Sequence, residues 1–548
     1  MMKRLWAICL ALVIAATAFG TVALADEAPE MRTLSVICRA KFNADNALED
    51  RGKNLSYQVF EKELAARGVQ LEYELVDDAS IAQVVQTRMA AQVDVPDIIA
   101  DAWIGVTENE IISWAENGLL VNVRDIVEQY DEDGSIFKFY EEHTPGVLAA
   151  STMADGGVYW FHYLNAATWV EEDGTKMDFN GNSYTPSIRL DWLEKAGVEY
   201  KKQMTHDELY DALLAIQKAD GNGNGVEDEV MAVSIDGYAG LARSFGLSYN
   251  LLVAVGKDDK VYNNLYLPQF EDYIRYMQKM YQSNLYDTTA LGDGMITELI
   301  ADNKASLTQH YASWESFEST ISATDDAVYA PIMLTTNDGK AYSAVDPLFG
   351  SYCHYMISSQ CDDLEAVVDL FDYIYTDEYA LLDKFGVEGV SFEYNDVGVP
   401  VSLYDPDVHP LDWEGLSLFN NVGMIAVPSI NTGMQVFDRK IANDYRKVKN
   451  EYTVWFQDEG ADNCDIETYG DLSLKLALPT AEELEVISEV ENVLTTYTKE
   501  LLTDLILGNR SLDDLPEYIA ELESLGLTDY MNIAQARRDR FVAAVGSN

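Results

Sequence analysis

The chain from residue 31 onward alternates between two hydrophobic periods, one typical of strands and one typical of helices. Leu34–Cys38 is a short apolar run that predicts a buried strand. A helical period around Phe60 follows, and Gly68 stands where that helix would end. Val69–Leu75 then alternates apolar and polar positions, as a half-buried strand does. We therefore predict strand, helix and strand in this order.

The alternation of strands and helices continues with another helix and another strand. Ile81, Val85 and Met89 recur at helical spacing, and the segment PDIIA predicts a short strand from Asp97. Strands and helices that alternate in this way are typical of an α/β fold with a mostly parallel, helix-covered sheet. Ligands of such sheets bind beyond the carboxyl ends of the strands. Trp103 follows the third strand and is a candidate ligand contact, with ordinary core packing as the alternative.

A second region of mixed strands and helices begins near Asp191. Thr205 with Glu208, and Thr480 with Glu483, have the spacing of capping boxes that start helices. The sequence shows no internal repeat and no Pro- or Ser-rich linker between the regions, so we expect the chain to cross between two lobes more than once. The predicted units are residues 1–25 as a signal peptide, approximately residues 31–155 with 330–400 as lobe 1, and approximately residues 156–329 with 401–548 as lobe 2.

Length and charge narrow the function classes. The chain has 548 residues, more than one hydrophobic core usually supports, and 48% of them are hydrophobic. The formal net charge is −56. That charge argues against nucleic-acid binding, which requires basic surfaces that neutralise phosphates. An acidic surface that keeps an exported protein in solution explains it more simply.

The first residues have the features of an export signal. Lys3 and Arg4 precede the apolar run Leu5–Ala16, and Ala23 and Ala25 supply the small residues expected before a cleavage site. The run is shorter than the ~20 residues that a membrane span needs. We expect an exported protein that acts in an extracellular, cell-surface or periplasmic location.

The segment DGNGNGVEDE, residues 220–229, crowds oxygen-bearing side chains around three glycines. Hard oxygen ligands in a glycine-rich loop suit calcium, which takes ~6–8 oxygens, and the absence of Cys and His disfavours zinc. The first six positions match an EF-hand loop, but position twelve is Met231 and not Glu. A structural calcium site is predicted, and a solvated Asn-Gly turn is the alternative. The candidate ligands are Asp220, Asn222, Asn224, the Val226 carbonyl, Asp228 and Glu229.

This loop belongs to a longer signature. RLDWLEKAG, residues 189–197, precedes a capped helix and then the loop. Together they resemble the large oligosaccharide-binding branch of family 1 of the extracellular solute-binding proteins, which includes alginate-oligosaccharide-binding proteins. The stretches PDIIADAW, NGLLVNVRDIVEQY, FGVEGVSFEY and LILGNRSLDDLPEYIAELESLGL resemble the same branch. The resemblance implies a two-lobe clamp of the periplasmic-binding-protein type, with a ligand groove between the lobes and calcium in the loop.

The resemblance also implies a function. A protein of this branch is the substrate-binding component of an ABC importer, which captures an oligosaccharide or other carbohydrate outside the cell membrane and delivers it to the permease subunits. We expect a monomer without enzymatic activity. An exported glycoside hydrolase is the alternative, although no carboxylate pair stands out. A calcium-dependent adhesin is a third possibility, which the extent of the resemblance disfavours.

Sugar sites need flat aromatic side chains for the apolar faces of the sugar and polar groups for its hydroxyls. Asp101, Arg243 and Glu315 are weaker candidates for hydroxyl contacts, since each is more often a surface charge. Half or more of the aromatic candidates are expected to serve packing instead, and Trp192 is expected in the core. The aromatic candidates are Trp103, Trp160, Tyr163, Tyr238, Trp314 and Trp413.

Cysteine spacing adds little to the picture. Cys9 lies inside the apolar run, in a context unlike a lipidation site, whereas relatives from Gram-positive bacteria are usually lipoproteins. Tethering by a lipid is therefore left open. Whether Cys353 and Cys361 pair is also left open, because the spacings match no metal or redox motif.

Overall fold

The structure is a computed structural model of the chain. It describes residues 30–40, 48–102, 104–144, 146–166, 168–170, 176–178, 186–233, 241–248, 252–256, 258–287, 293–309, 327–339, 341, 353–404, 408–409, 413–418, 430–432, 435–436, 452, 455, 459–460 and 476–545. The predicted signal peptide lies outside these residues.

The strands of the described residues are mostly short. They are β1 (Arg32–Arg39), β2 (Val69–Val76), β3 (Ile98–Ala102), β4 (Trp160–His162), β5 (Leu164–Ala166), β6 (Thr168–Val170), β7 (Lys176–Asp178), β8 (Pro186–Arg189), β9 (Gln203–Thr205), β10 (Val230–Ala232), β11 (Ala254–Val255), β12 (Val261–Tyr262), β13 (Ala305–Gln309), β14 (Tyr329–Pro331), β15 (Met333–Thr335), β16 (Cys353–Ile357), β17 (Phe392–Tyr394), β18 (Pro400–Ser402), β19 (Ile430–Thr432) and β20 (Gln435–Val436).

The helices alternate with the strands until the C-terminal segment, which is helical. Within the described part of the chain, no helix combines the length and apolarity needed to cross a bilayer. The helices are α1 (Leu55–Ala66), α2 (Asp78–Ala91), α3 (Glu108–Glu116), α4 (Val123–Tyr130), α5 (Ser135–His143), α6 (Val147–Ser151), α7 (Leu190–Lys195), α8 (His206–Lys218), α9 (Gln269–Gln282), α10 (Asp293–Ala301), α11 (Leu364–Ile374), α12 (Asp377–Lys384), α13 (Ala481–Leu507), α14 (Leu515–Ser524) and α15 (Leu527–Val545).

The first sheet has the strand order β2-β1-β3-β16-β4. β1 runs parallel to β2 and β3, while β16 is antiparallel to both of its neighbours, β3 and β4. The carboxyl ends of β1, β2, β3 and β4 therefore meet at one side of the sheet, which we call the carboxyl edge. The predicted succession of strand, helix, strand, helix and strand is confirmed as β1, α1, β2, α2 and β3.

Helices cover both faces of this sheet. Along β3, Ile98 packs with α1 and α4 on one face, and Ile99 packs with α2 and α3 on the other. β4 shows the same alternation, because Phe161 faces the first cluster and Trp160 the second. A sheet buried on both faces requires apolar residues at consecutive strand positions, which is why residues 98–100 read as a continuous apolar run.

The second sheet has the strand order β10-β13-β8-β14. α8, α9 and the C-terminal helices α13 and α15 contribute side chains to one hydrophobic cluster with it. Trp192 is part of this cluster and is 3% exposed, which confirms its predicted place in the core. The α/β architecture predicted from the sequence is therefore present in both halves.

The contacts of three segments bear on where the chain passes from one lobe to the other. β4 belongs to the first sheet, and β14 to the second. Residues 413–418 lie against the first lobe, because Asn54 Nδ2 donates to the Leu416 carbonyl at 3.0 Å. The boundary of a lobe depends on which strands pair, and local hydrophobic patterns do not reveal pairing between segments that are distant in the sequence. The division of the whole chain into lobes stays a prediction.

Cys361 is a buried free thiol, so it does not form a disulfide with Cys353. Burial raises the pKa of this thiol to about 12.

Candidate calcium loop and ligand-facing sheet edge

α8 leads directly into the predicted calcium loop. Thr205 caps its start, since its Oγ1 accepts from the Glu208 amide at 3.2 Å and Glu208 Oε2 accepts from the Thr205 amide at 2.9 Å. The predicted capping box is thus confirmed. The helix ends at Lys218, and Asp220 then takes a left-handed conformation with φ 53°. The first candidate ligand therefore stands where the chain leaves the helix axis.

Hydrogen bonds connect most of the candidate ligands. Asp228 Oδ1 accepts from Asn222 Nδ2 at 2.9 Å and from Asn224 Nδ2 at 3.0 Å. The Asp220 carboxylate accepts from the Gly225 amide at 3.1 Å, which folds the loop back on its start. The structure thus brings these polar side chains together around the turn, as predicted from their alternate spacing.

Glu229 closes the loop from inside the protein. It is fully buried, and its Oε1 accepts from the Asn222 amide at 3.0 Å. Its Oε2 is buried without a hydrogen-bond partner. Burial raises the pKa of this carboxyl group above its ordinary value. A buried carboxylate oxygen without a partner is costly, and a cation beside it would supply the missing interaction.

The donor set of the loop fits a hard cation. It offers three carboxylates, two side-chain amides and a main-chain carbonyl, which are all oxygen ligands. Among the described residues, however, no three acidic, His or Cys side chains are close enough to hold a metal ion. The Asn222 and Asn224 amides here donate to Asp228, and each would have to turn its oxygen inward to become a ligand. Calcium binding at this loop stays a prediction.

The loop rests on the RLDWLEKAG segment. Lys195 Nζ donates to the Asp220 and Gly221 carbonyls. A Cβ at Gly221 would lie 2.9 Å from Trp192 Cδ2, so the loop backbone lies directly on that ring. The two parts of the signature are therefore in direct contact. The sequence indicated both parts but not the contact between them.

Arg189 fixes the ring on which the loop rests. Its Nε and Nη2 donate to the two Asp191 carboxylate oxygens at 2.7 and 2.8 Å. Its guanidinium carbon lies 4.1 Å from the centre of the Trp192 ring. A bidentate and stacked arginine is held in one orientation, so the platform beneath the loop is rigid.

The structure describes three of the predicted aromatic ligand contacts. Trp160 starts β4 and is 3% exposed, and Tyr163 is buried in the core of the first lobe. Trp413 is half-buried, with its ring stacked on His409 at 4.0 Å. The ring contacts of Trp160 are with His162 and His354. The remaining candidates, Trp103, Tyr238 and Trp314, lie outside the described residues, as does Glu315.

Polar side chains occupy the carboxyl edge. Of these, Asp101 was a weak candidate from the sequence, and His162 and His354 were not candidates. His354 Nδ1 lies 3.0 Å from Asp101 Oδ2. His162 ends β4 and is 1% exposed, and burial lowers its pKa to about 3. Side chains alternate between the two faces along a strand, so His162 lies on the same face of β4 as Trp160. This alternation is the one feature of the sequence that could have indicated a shared location for the two residues. Arg243, the other weak candidate, is buried in a short helical turn.

Comparison with known proteins identifies the family. The family model for bacterial extracellular solute-binding proteins matches residues 49–381, which is more than half of the chain. The chain belongs to the bacterial extracellular solute-binding proteins. The resemblance recognised in the sequence is thereby confirmed.

Relatives of this solute-binding protein include FusA, the fructooligosaccharide ABC transporter substrate-binding protein of Streptococcus pneumoniae. It is 22% identical over 461 residues, which cover 82% of this chain and 81% of FusA. The structure of a FusA EF-hand mutant in complex with fructo-nystose has a TM-score of 0.65 at 20% identity, and the match covers 94% of this chain and 100% of that one. Alginate-binding protein AlgQ2, solved without calcium ion, has a TM-score of 0.63 at 18% identity, covering 93% and 98%. These likenesses confirm the fold of the solute-binding protein.

Proposed function

We propose that this solute-binding protein is the substrate-binding component of an ABC importer that captures an oligosaccharide outside the cell membrane and delivers it to a permease. The observation that carries the proposal is the match to FusA across 82% of this chain, within a family of solute-binding proteins. FusA serves a fructooligosaccharide transporter. A family of binding proteins favours reversible capture over glycoside hydrolysis, so we expect no turnover of the sugar.

The proposed ligand groove runs past the carboxyl edge of the first sheet. Ligands of open α/β sheets bind beyond this end of the strands. Asp101, His162 and His354 lie at this end of the sheet, and Trp160 lies two positions before His162 on the same face. Trp103 is the next residue after β3 in the sequence. Sugar recognition combines such apolar rings with polar groups that bind hydroxyls. Tyr163, Tyr238, Trp314 and Trp413 remain candidate contacts.

The proposal is tested by titrating the purified protein with kestose, nystose, maltotriose and xylotriose in the presence of calcium. Isothermal titration should show saturable binding of at least one sugar. At a hundred times its dissociation constant that sugar should add ~2.7 kcal/mol to the free energy of unfolding. Chromatography of the sugar after a long incubation should recover it intact. Consumption of the sugar would contradict the proposal and favour a glycoside hydrolase.

We also propose that residues 220–229 bind a structural calcium ion. The buried Glu229 Oε2 without a partner, the oxygen-only donor set and the EF-hand of the relative FusA support it. The proposed ligands are Asp220, Asn222, Asn224, the Val226 carbonyl, Asp228 and Glu229. A calcium ion there would hold the end of α8 to the start of β10, on the rigid Trp192 platform.

Calcium removal tests this site. We expect EGTA to lower the thermal midpoint of the wild-type protein and calcium to restore it. Glu229→Gln should abolish this response, since it removes the carboxylate beneath the ion. Glu227→Gln is the matched control, because Glu227 is an exposed carboxylate of the same loop that is not a proposed ligand. An equal response to calcium in both variants would exclude Glu229 as a ligand.

A further inference from the structure

Three polar residues share one row at the carboxyl edge of the first sheet. His354 of β16 stands opposite Asp101 of β3 on one side and opposite His162 of β4 on the other. Residues that face each other across neighbouring strands point to the same face of a sheet. Trp160, two positions before His162, points to this face too. We call Asp101, Trp160, His162 and His354 the edge group.

Asp101 holds His354 in place. Its Oδ2 lies 3.0 Å from His354 Nδ1, and its Oδ1 accepts from the Ile104 amide at 3.3 Å. The Asp101 carboxylate is almost completely buried, while the His354 side chain is 13% exposed. When His354 is neutral, its Nδ1–H donates to Asp101 and its Nε2 is left as an oriented acceptor.

The other two members of the edge group lack hydrogen-bond partners. Both ring nitrogens of His162 and Nε1 of Trp160 are buried without one. The rings form one contiguous set, because the Trp160 ring lies 5.0 Å from that of His354 and 5.8 Å from that of His162. Buried polar atoms in native proteins are nearly always paired, so three unpaired nitrogens at a ligand-facing edge point to a partner that binds there.

Charge at this edge is negative. On the face of the edge group, Arg39 ends β1, and its Nε donates to Asp78 Oδ1 at 2.8 Å while Nη2 pairs with Asp78 Oδ2. The Arg39 hydrogen bonds lower the pKa of Asp78, so this pair stays ionised and neutralised. Asp77 and Asp101 add two further carboxylates nearby. The positive charge of Arg39, which the described residues place at this edge, is therefore already neutralised by Asp78.

We propose that the edge group is a subsite for the hydroxyl groups of an uncharged sugar residue, so that the protein selects neutral oligosaccharides over those that contain uronic acids. The inference rests on the proposed function, because it assumes that a sugar enters the groove.

Hydrogen-bond chemistry distinguishes the two sugar classes. A hydroxyl both donates and accepts, so different hydroxyls of one sugar can accept from Trp160 Nε1, accept from the donor nitrogen of a neutral His162 and donate to its acceptor nitrogen. A carboxylate only accepts, so it would leave the acceptor nitrogens of the histidines unpaired. It would also bring a negative charge toward Asp101, and Arg39, the cation that the described residues place at the end of β1 on this face, is already paired with Asp78.

Binding measurements with paired probes test the selectivity. The neutral probes are kestose, nystose, maltotriose and xylotriose, and the acidic probes are the trimers of galacturonate and mannuronate. We expect at least one neutral probe to bind at least tenfold more tightly than either acidic trimer. Tighter binding of an acidic trimer would overturn the inference and leave the proposed function standing. Failure of every probe to bind would contradict the proposed function, and the inference with it.

Substitution of His162 tests the subsite itself. His162→Phe keeps a ring but removes both nitrogens, and it should weaken the binding of the neutral probe at least tenfold without lowering the thermal midpoint. His206→Phe is the matched control, because His206 is also a buried histidine but lies at the start of α8, outside the first sheet, and it should leave the affinity unchanged. Wild-type affinity in His162→Phe would overturn the subsite.

A second variant covers the case in which His162→Phe does not fold. His354→Gln changes the partly exposed member of the edge group, so it should be tolerated in the fold. It should also weaken the neutral probe at least tenfold, and unchanged affinity would count against the inference.

Discussion

Single residues determine how the candidate calcium loop is held. Gly221 has no side chain, and this allows the loop backbone to lie on the Trp192 ring. That ring is buried and stacked by Arg189, so it has no room to move away. The glycines of this loop therefore serve two purposes: Gly223 and Gly225 take left-handed backbone conformations, while Gly221 permits close packing.

Gly221→Ala should destabilise the second lobe. The added Cβ would lie 2.9 Å from Trp192 Cδ2 and 3.0 Å from Ile216 Cγ2, two buried and tightly packed side chains. Overpacking of this kind costs about 1–3 kcal/mol, which urea denaturation measures as a lower midpoint. Gly52→Ala is the control, because a Cβ there meets nothing within 4 Å, and a similar loss in that variant would refute the steric explanation.

Buried His206 should make the protein sensitive to acid. Its ring stacks on Phe245 at 3.8 Å, and burial lowers its pKa to about 3. The unfolded chain takes up a proton near the ordinary histidine pKa of about 6.5, whereas the folded chain does so only near pH 3. The contribution of neutral His206 to stability is therefore present above pH 6.5 and is lost as the pH falls from 6.5 toward 3.

His206→Phe checks this pH dependence. The slope of the free energy of unfolding between pH 6.5 and 4 should become shallower than in the wild type, by up to about 1.4 kcal/mol per pH unit. The lost contact between His206 Nε2 and Ser244 Oγ, 2.8 Å apart, should lower stability by an amount that does not change with pH. Parallel pH profiles for the two proteins would show that His206 is not responsible.

At the scale of elements, the local patterns in the sequence carried most of the information. Caps and glycine stops placed α1, α8 and α13 correctly, because each depends on residues within one helical turn. The position of β16 between β3 and β4 was not predictable from such patterns, since it brings together segments about 250 residues apart. Trp160 and Asp101 were candidates from the sequence, but their grouping with His162 and His354 was missed for the same reason: Asp101 and His354 meet only through this pairing.

The N-terminal cap of α8 should stabilise the start of that helix. Thr205→Ala removes the side-chain oxygen that accepts from the Glu208 amide, and such a loss costs about 1 kcal/mol. Hydrogen exchange should accelerate in the first turn of α8, and the thermal midpoint should fall.

Thr87→Ala provides the comparison for this prediction. Thr87 is an exposed residue inside α2, and alanine has the higher helix propensity, so stability should be unchanged or slightly higher. An equal loss in both variants would mean that the cap contributes nothing specific.

At the scale of the whole molecule, the C-terminal helices contact both halves. α13 and α15 belong to the hydrophobic cluster of the second lobe. Leu478, just before α13, packs with α2 and α3 on the first sheet, and Arg537 of α15 lies 3.5 Å from Glu108 of α3. The chain also crosses between the sheets after β4 and again before β16. Several connections of this kind permit a hinge but restrict the directions in which the lobes can move.

We expect the lobes to close on a bound sugar. A ligand that binds the closed form better than the open form shifts the population toward the closed form. Small-angle X-ray scattering should therefore show a smaller radius of gyration when a sugar identified by titration is saturating. A sugar that does not bind should leave the radius unchanged. An unchanged radius with the bound sugar would indicate that capture occurs without closure.

The strands of one sheet lie between those of the other along the chain, and this sets the order in which the two sheets can be completed during synthesis. The strands of the second sheet, β8, β10, β13 and β14, all emerge between β4 and β16. The second sheet can therefore be complete while β3 still lacks β16, with the backbone N–H and C=O groups along one edge of β3 unpaired. An unpaired apolar strand invites association with other chains. The first sheet is thus the one in which an inner strand stays unpaired until residue 357 has been made.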